Sequence, residues 1–145
     1  RRIKRVIYID MNSINLPDAK TVKGIASLAV LKKTGELKAL QKSAQSGIIE
    51  RINSSGITNI GIFRKYVELY MAGHPGINSE RTLMAKLLEP TAQAVPVQLY
   101  AFTTIVDVVQ FERELAEIVE HLIAVLPVFG LRLFQSPSGS DIREI

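Results

Sequence analysis

The stretch Val6-Ile7-Tyr8-Ile9-Asp10 decides the fold expected for this chain. Four apolar residues follow one another without alternation, and a carboxylate ends the run. Continuous hydrophobicity of this kind is typical of a strand that is buried on both faces of a parallel sheet. In an open α/β sheet the ligand crevice lies at the carboxyl ends of such strands. The stretch therefore predicts an α/β protein and makes Asp10 the first candidate for a functional site.

Strands and helices are expected to alternate along the rest of the chain. Further strands are predicted over residues 36–41, 57–63, 96–102 and 131–134. Helices are predicted over 19–33, from about 47 to Gly56, over 64–72, and over about 79–94 and 106–125. This alternation implies βαβ units, whose right-handed crossovers place helices on both faces of a sheet. We expect one domain over 1–145, a three-layer α/β sandwich of about five mainly parallel strands, with 136–145 as a mobile tail.

Composition excludes several classes of site. The 145 residues are 47% hydrophobic and 22% charged, which is typical of a globular protein. The chain has no cysteine, so disulfides, iron–sulfur clusters and thiolate zinc sites are excluded, and its two histidines cannot form a three-histidine site. No glycine-rich phosphate motif occurs, and no cofactor is expected. No apolar run reaches the ~18 residues of a membrane span, and we expect a cytoplasmic location.

Charge is distributed unevenly between the two halves of the chain. Residues 1–70 carry 13 Lys and Arg against 5 Asp and Glu, a net charge of +8, whereas residues 71–145 carry a net charge of −4. A basic region can bind nucleic acid, and the candidates are Arg1, Arg2, Lys4 and Arg5. Aromatic residues do not interleave with these cations along the sequence, as a stacking surface for bases would require. Solvated helix faces are therefore the favoured interpretation of the charge.

Asp10 also allows an enzymatic interpretation. The run Ile9-Asp10-Met11-Asn12-Ser13-Ile14 is similar to the opening motif of PIN-type nucleases, in which an aspartate helps to hold a divalent metal. Such a site needs further carboxylates to bind the metal and activate water. Glu50 is the best second ligand, but paired acids are missing at the other predicted strand ends. The alternative is that Asp10 accepts backbone N–H bonds at the start of a loop.

Asp18 is expected to cap the first helix. It precedes Val22 and Ile25, which recur at helical spacing, and aspartate is a favoured N-cap residue. The exposed N–H groups of Ala19, Lys20 and Thr21 could then receive an anion, to which the Lys20 charge would contribute.

The region 6–72 resembles a STAS domain, the sulfate-transporter and anti-sigma-factor-antagonist family. In that family an Ile-Asp-apolar segment ends a strand, and a second Asp eight residues later opens the signature helix. Asp10 and Asp18 have this spacing. The later landmarks match Gly35, the segment 37–40, the segment Ile48–Ile57 with its Ser-Gly-Ile end, and the Ile62-Phe63 pair. The family's phosphorylated Ser or Thr follows the second Asp, where Ala19 and Lys20 stand here.

The resemblance implies a non-enzymatic regulatory or protein-interaction module. Its docking surface would include Asp10, Asp18, Ala19, Lys20 and Thr21, and its partner would be another protein or a second copy of the chain. Residues 73–135 would supply additional helices and strands. Two other functions remain open: a metal-dependent PIN-like nuclease that uses Asp10 and Glu50, and a subunit of a larger assembly whose basic and acidic halves meet.

Overall fold

The computed structural model describes residues 1–135 and contains three strands and five α-helices in that range. The strands are β1 (Arg2–Asp10), β2 (Met84–Leu87) and β3 (Ala94–Phe102). The helices are α1 (Ala19–Ala26), α2 (Gly35–Ser43), α3 (Ile48–Asn53), α4 (Asn59–Ala72) and α5 (Val108–Val125). Three short 3-10 helices cover Met11–Ser13, Ala29–Leu31 and Leu126–Phe129.

The sheet is antiparallel throughout and has the order β1-β3-β2. β1 pairs with β3 along its whole length, from Arg2 opposite Phe102 to Asp10 opposite Ala94. An antiparallel bridge between Ile9 and Leu133 adds a short segment at the other edge of β1. The expected three-layer sandwich of about five mainly parallel strands is therefore wrong. β1 begins at Arg2 rather than at Val6, and over this longer range Ile3, Ile7 and Ile9 are buried on one face while Arg2, Lys4 and Tyr8 are exposed on the other, as in a sheet with one solvated face.

Two predicted strands are helices, and a threonine caps each of them. Residues 36–41 lie in α2, where the Leu37 N–H donates to Thr34 Oγ1 at 3.2 Å. Leu37 and Leu40 are buried at a spacing of three residues, which places them on one helix face. Residues 59–63 likewise open α4, which Thr58 caps through the Gly61 N–H at 3.0 Å.

Other predictions had mixed outcomes. β1, β3 and α5 lie where the sequence placed a strand, a strand and a helix. The helix predicted over about 79–94 is wrong, since that region contains β2 and loops, and the first helix ends at Ala26 rather than at Lys33. The strand predicted over 131–134 is reduced to the Leu133 bridge. The predicted tail, 136–145, lies outside the described residues.

The core lies between one face of the sheet and the helices. The buried side chains on this face are Ile3, Ile7 and Ile9 from β1 and Val95, Val97, Leu99 and Ala101 from β3. α4 is bonded to β2 through Glu68, whose carboxylate accepts the Ala85 N–H at 3.0 Å. α5 lies against β1, where Glu112 pairs with Arg5 at 3.3 Å. None of the helices found within residues 1–135 is long and apolar enough to cross a membrane.

Candidate functional site

Asp10 ends β1 and holds the edge segment to it. Its main-chain N–H donates to the Arg132 carbonyl at 2.8 Å, and its Oδ2 accepts from Arg132 Nε and Nη2 at 3.2 and 3.0 Å. Its Oδ1 accepts the Asn12 N–H at 3.0 Å. The Asn12 N–H and, next, the Arg132 guanidinium hold the pKa of Asp10 below its ordinary value. The carboxylate is therefore ionised and engaged within the chain.

Glu50 is exposed on α3. This helix has six residues, and three of the others are isoleucines. No group of three or more His, Asp or Glu residues that could hold a metal ion occurs within 1–135. The carboxylate cluster that the nuclease interpretation requires is thus not formed in the part of the chain that the structure covers.

Asp18 caps α1, as the sequence predicts. Its Oδ1 accepts the Thr21 N–H at 2.8 Å, and this bond is the main reason why the pKa of Asp18 lies below its ordinary value. Ala19 and Lys20 are exposed and Thr21 is half-buried. Because Asp18 already occupies the Thr21 N–H and adds a negative charge, an external anion would meet a weaker site here than the sequence argument assumed.

Arg51 was missed by the sequence argument. It is the buried residue of α3, with 6% of its surface exposed, and its Nη2 donates to the Pro17 carbonyl at 2.6 Å. This bond ties α3 to the loop that leads into α1. On the same helix the exposed fractions of Ile48, Ile49 and Ile52 are 54%, 66% and 58%. A surface helix usually buries its apolar residues and exposes its charged ones, whereas α3 buries Arg51 and exposes its isoleucines.

The second face of the sheet presents a different set of residues, which we call the open face. In antiparallel pairs, residues opposite each other share a face, so the register defines its members. They alternate with the buried core positions and are mostly exposed or half-exposed. The open face comprises Arg2, Lys4, Val6, Tyr8 and Asp10 of β1, Met84 and Lys86 of β2, and Ala94, Pro96, Gln98, Tyr100 and Phe102 of β3.

Three aromatic side chains lie on the open face. Tyr8 is 47% exposed. Tyr100 and Phe102 are half-buried and meet edge to face, with ring centroids 5.8 Å apart and planes at 90°. Arg81, from the loop before β2, places its guanidinium carbon 3.9 Å from the centroid of the Phe102 ring, which is a cation–π contact.

Strand alternation divides the predicted basic cluster into two pairs. Arg2 and Lys4 are on the open face. Arg5 is on the opposite face, paired with Glu112, and Arg1 lies over the Phe111 ring at 5.5 Å, so both of these cations contact α5. Of the four predicted cations, Arg2 and Lys4 can therefore contact a ligand on the open face, whereas Arg1 and Arg5 contact α5.

Among its members within residues 1–135, the open face carries several cations and one carboxylate, which is already paired. Arg2, Lys4 and Lys86 are face members, and Arg81 reaches the face through Phe102. Asp10 is the one carboxylate among the members of the open face, and it is bonded to Arg132. Aromatic and basic residues do interleave, but across strands: Arg2 lies opposite Phe102, and Lys4 opposite Tyr100. Sequence order could not show this, because β1 and β3 are more than 80 residues apart.

No protein-family model matches the chain. Membership of the STAS family therefore stays a prediction from spacing, and two of the strands that the resemblance expects are α2 and the start of α4. The open face has to be interpreted from its own chemistry.

Proposed function

We propose that this chain is a non-enzymatic binding module whose ligand is nucleic acid and whose contact surface is the open face. The observation that carries the proposal is the set of four cations, Arg2, Lys4, Lys86 and Arg81, on the same face as one exposed and two half-buried aromatic rings. The proposal keeps the binding role that the sequence suggests and moves the contact surface from the α1 N-terminus to the sheet.

Charge and shape support this choice of ligand. Phosphate contacts by Lys and Arg release counterions from nucleic acid and supply most of its non-specific affinity. The cations are spread over two strands, β1 and β2, and one loop rather than gathered at a single point. An extended polyanion matches such a surface better than a single small anion does.

Fluorescence anisotropy with labelled oligonucleotides tests the proposal. The double variant Lys4→Gln/Lys86→Gln removes two cations from the open face. The matched control is Lys23→Gln/Lys38→Gln, which removes two exposed lysines from α1 and α2 and gives the same net charge. We expect the first variant to weaken binding and to flatten the plot of log affinity against log salt by about 0.7–0.9 per lost phosphate contact. Binding by the control should remain close to wild type.

The proposal is overturned if the wild-type chain binds neither single-stranded nor duplex oligonucleotides at low salt. Equal weakening by the two double variants also contradicts it, because net charge rather than the open face would then govern binding.

A specific observation favours a second candidate function, the protein interaction or self-association expected from the sequence. Ile48, Ile49 and Ile52 are exposed together on α3, and contiguous exposed apolar residues often mark a contact with another protein. We propose α3 as the contact for self-association. Sedimentation velocity at low and high salt tests it: wild type should associate in both, and Ile49→Lys should be monomeric. A wild-type chain that is monomeric at high concentration refutes this candidate.

A further inference from the structure

We infer that the open face binds single-stranded nucleic acid and that two of its bases stack on Tyr8 and Tyr100. This inference rests on the proposed function and specifies its ligand. It is carried by the placement of the rings rather than by the positive charge, since charge alone would serve a duplex equally well.

The rings lie where a single strand can use them. In a duplex the bases are stacked on each other and their faces are hidden, whereas a single strand offers every base face to an aromatic side chain. Tyr8 is 47% exposed on β1, and Tyr100 is half-exposed on the neighbouring strand β3. Both point to the same side of the sheet.

The separation of the two tyrosines suits a short run of nucleotides. Tyr100 lies opposite Lys4, which is four residues before Tyr8 on β1. At about 3.3 Å per strand residue the two rings are separated by roughly 13 Å along the strand direction. A stacked strand rises about 3.4 Å per nucleotide, so about four nucleotides span this distance, and fewer do so when the strand is stretched.

Cations lie beside the path between the rings. Lys4 is directly opposite Tyr100, and Lys86 is opposite Gln98, which lies one face position before Tyr100 on β3, toward the end of the sheet that holds Tyr8. A backbone that passes from one stacked base to the next would therefore bring its phosphates near ammonium groups. This alternation of ring and cation is what stacking surfaces for single strands require.

Phe102 has a supporting role. Its edge-to-face contact orients Tyr100, and its own face is covered by the Arg81 guanidinium at 3.9 Å. A base would have to displace Arg81 to stack there. Tyr100 and Tyr8 are thus the rings left for the ligand, and Arg81 is held at the end of the path as a further phosphate contact.

The test compares ligands and variants in one anisotropy series. The ligands are a 12-nucleotide single strand as RNA and as DNA, the corresponding 12-base-pair duplex, and an abasic strand of equal length and charge. The variants are Tyr8→Leu and Tyr100→Leu, which remove a ring, with Tyr8→Phe and Tyr100→Phe as controls that keep it. Thermal melts of each variant verify that it is folded.

We expect the single strand to bind more tightly than the duplex or the abasic strand at the same salt concentration. Each Leu variant should weaken single-strand binding about tenfold or more with an unchanged salt slope, and each Phe variant should bind like wild type. The RNA and DNA arms then identify which strand the site prefers, since only the 2′-hydroxyl and the thymine methyl distinguish them.

Three results overturn the inference. They are a duplex that binds as tightly as the single strand, an abasic strand that binds as tightly as the intact one, and folded Leu variants with wild-type affinity. Each of these leaves the proposed function standing, because nucleic acid would still bind through charge. Absence of binding to every ligand refutes both.

Discussion

Replacing Asn59 should reveal a buried hydrogen-bond network on which the fold depends. Asn59 is fully buried at the first turn of α4. Its Nδ2 donates to the carbonyls of Ser13 and Phe129 at 2.8 and 3.1 Å, and its Oδ1 accepts the Asn15 N–H at 2.9 Å. One side chain thus joins the loop after β1, the start of α4 and the segment after α5.

The magnitude follows from the groups that a substitution leaves unpaired. Asn59→Ala removes both donors from the carbonyls of Ser13 and Phe129, which are buried residues. Each buried polar group without a partner costs about 1–3 kcal/mol, so we expect a loss of roughly 3 kcal/mol in the free energy of unfolding. For a domain of this size that corresponds to a decrease of about 10 °C in Tm.

Asn59→Asp adds a dependence on pH. The introduced carboxylate would face the two carbonyl oxygens to which Nδ2 now donates, in a site without solvent. The Asn15 and Ile60 N–H groups would still donate to one carboxylate oxygen. Complete burial and the two carbonyl oxygens that face the other should nevertheless raise its pKa in the folded state above the unfolded value of about 3.9. A raised pKa means that the stability contribution is present in full below the unfolded pKa and is lost as the pH rises through the folded value. The variant should therefore be least stable at neutral pH.

Urea unfolding at pH 4 and pH 7.5 measures both effects. Asn15→Asp is the matched control, because Asn15 is exposed and contributes its main-chain N–H to the network. We expect Asn15→Asp to be close to wild type at both pH values. The network argument is refuted if Asn59→Asp behaves like this control, or if its deficit is the same at the two pH values.

Three smaller perturbations test local features. Gly130 has a φ of +70°, and a Cβ added there would have room, since the nearest atom would be Thr21 Cγ2 at 3.7 Å. Gly130→Ala should therefore lower the free energy of unfolding in urea by about 1 kcal/mol through backbone strain alone, and an unchanged free energy would contradict the assigned conformation. Asp18→Ala should lower Tm while Asp18→Asn keeps most of it, because asparagine also caps; equal melts would contradict the cap. Because the pKa of Asp10 is lowered in the folded state, its carboxylate stabilises the fold fully above the ordinary carboxyl pKa, and this stabilisation is lost as the pH falls through the pKa of the folded state. The difference in free energy of unfolding between wild type and Asp10→Asn should therefore be present at pH 6 and smaller at pH 2.5, and an equal difference at the two pH values would contradict it.

Local signals in the sequence predicted individual elements better than their arrangement. The cap at Asp18 and the amphipathic α5 depend on neighbouring residues and were found. The strand predicted over 36–41 was wrong because the segment fits two periodicities. Leu37 and Ala39 would share one face of a strand, whereas Leu37 and Leu40 share one face of the helix that forms, which Thr34 caps. Whether paired strands run parallel depends on contacts between β1 and β3, which no local pattern specifies.

The candidate site shows the same limit. The sequence indicates Asp10 as the end of a strand and Asp18 as the start of a helix, and in the fold both carboxylates accept hydrogen bonds from nearby main-chain N–H groups. The open face was missed because its rings and cations come from distant segments and become neighbours only through the register of the sheet. Extending β1 back to Arg2 and applying a period of two would have separated Lys4 from Arg5, but it could not have placed Tyr100 beside Lys4.

The acidic helix α5 and the cations of the open face lie on opposite sides of the sheet. α5 carries Glu112, Glu114, Glu117 and Glu120 and lies against the core face, where it takes up Arg5. Arg2 and Lys4 are directed to the other side. An approaching polyanion is therefore attracted to the open face and repelled from the α5 side, which favours one docking orientation. This steering acts over a Debye length of about 10 Å at 0.1 M salt and only about 3 Å at 1 M, so salt should slow association with the open face before it abolishes the stacking contacts that follow.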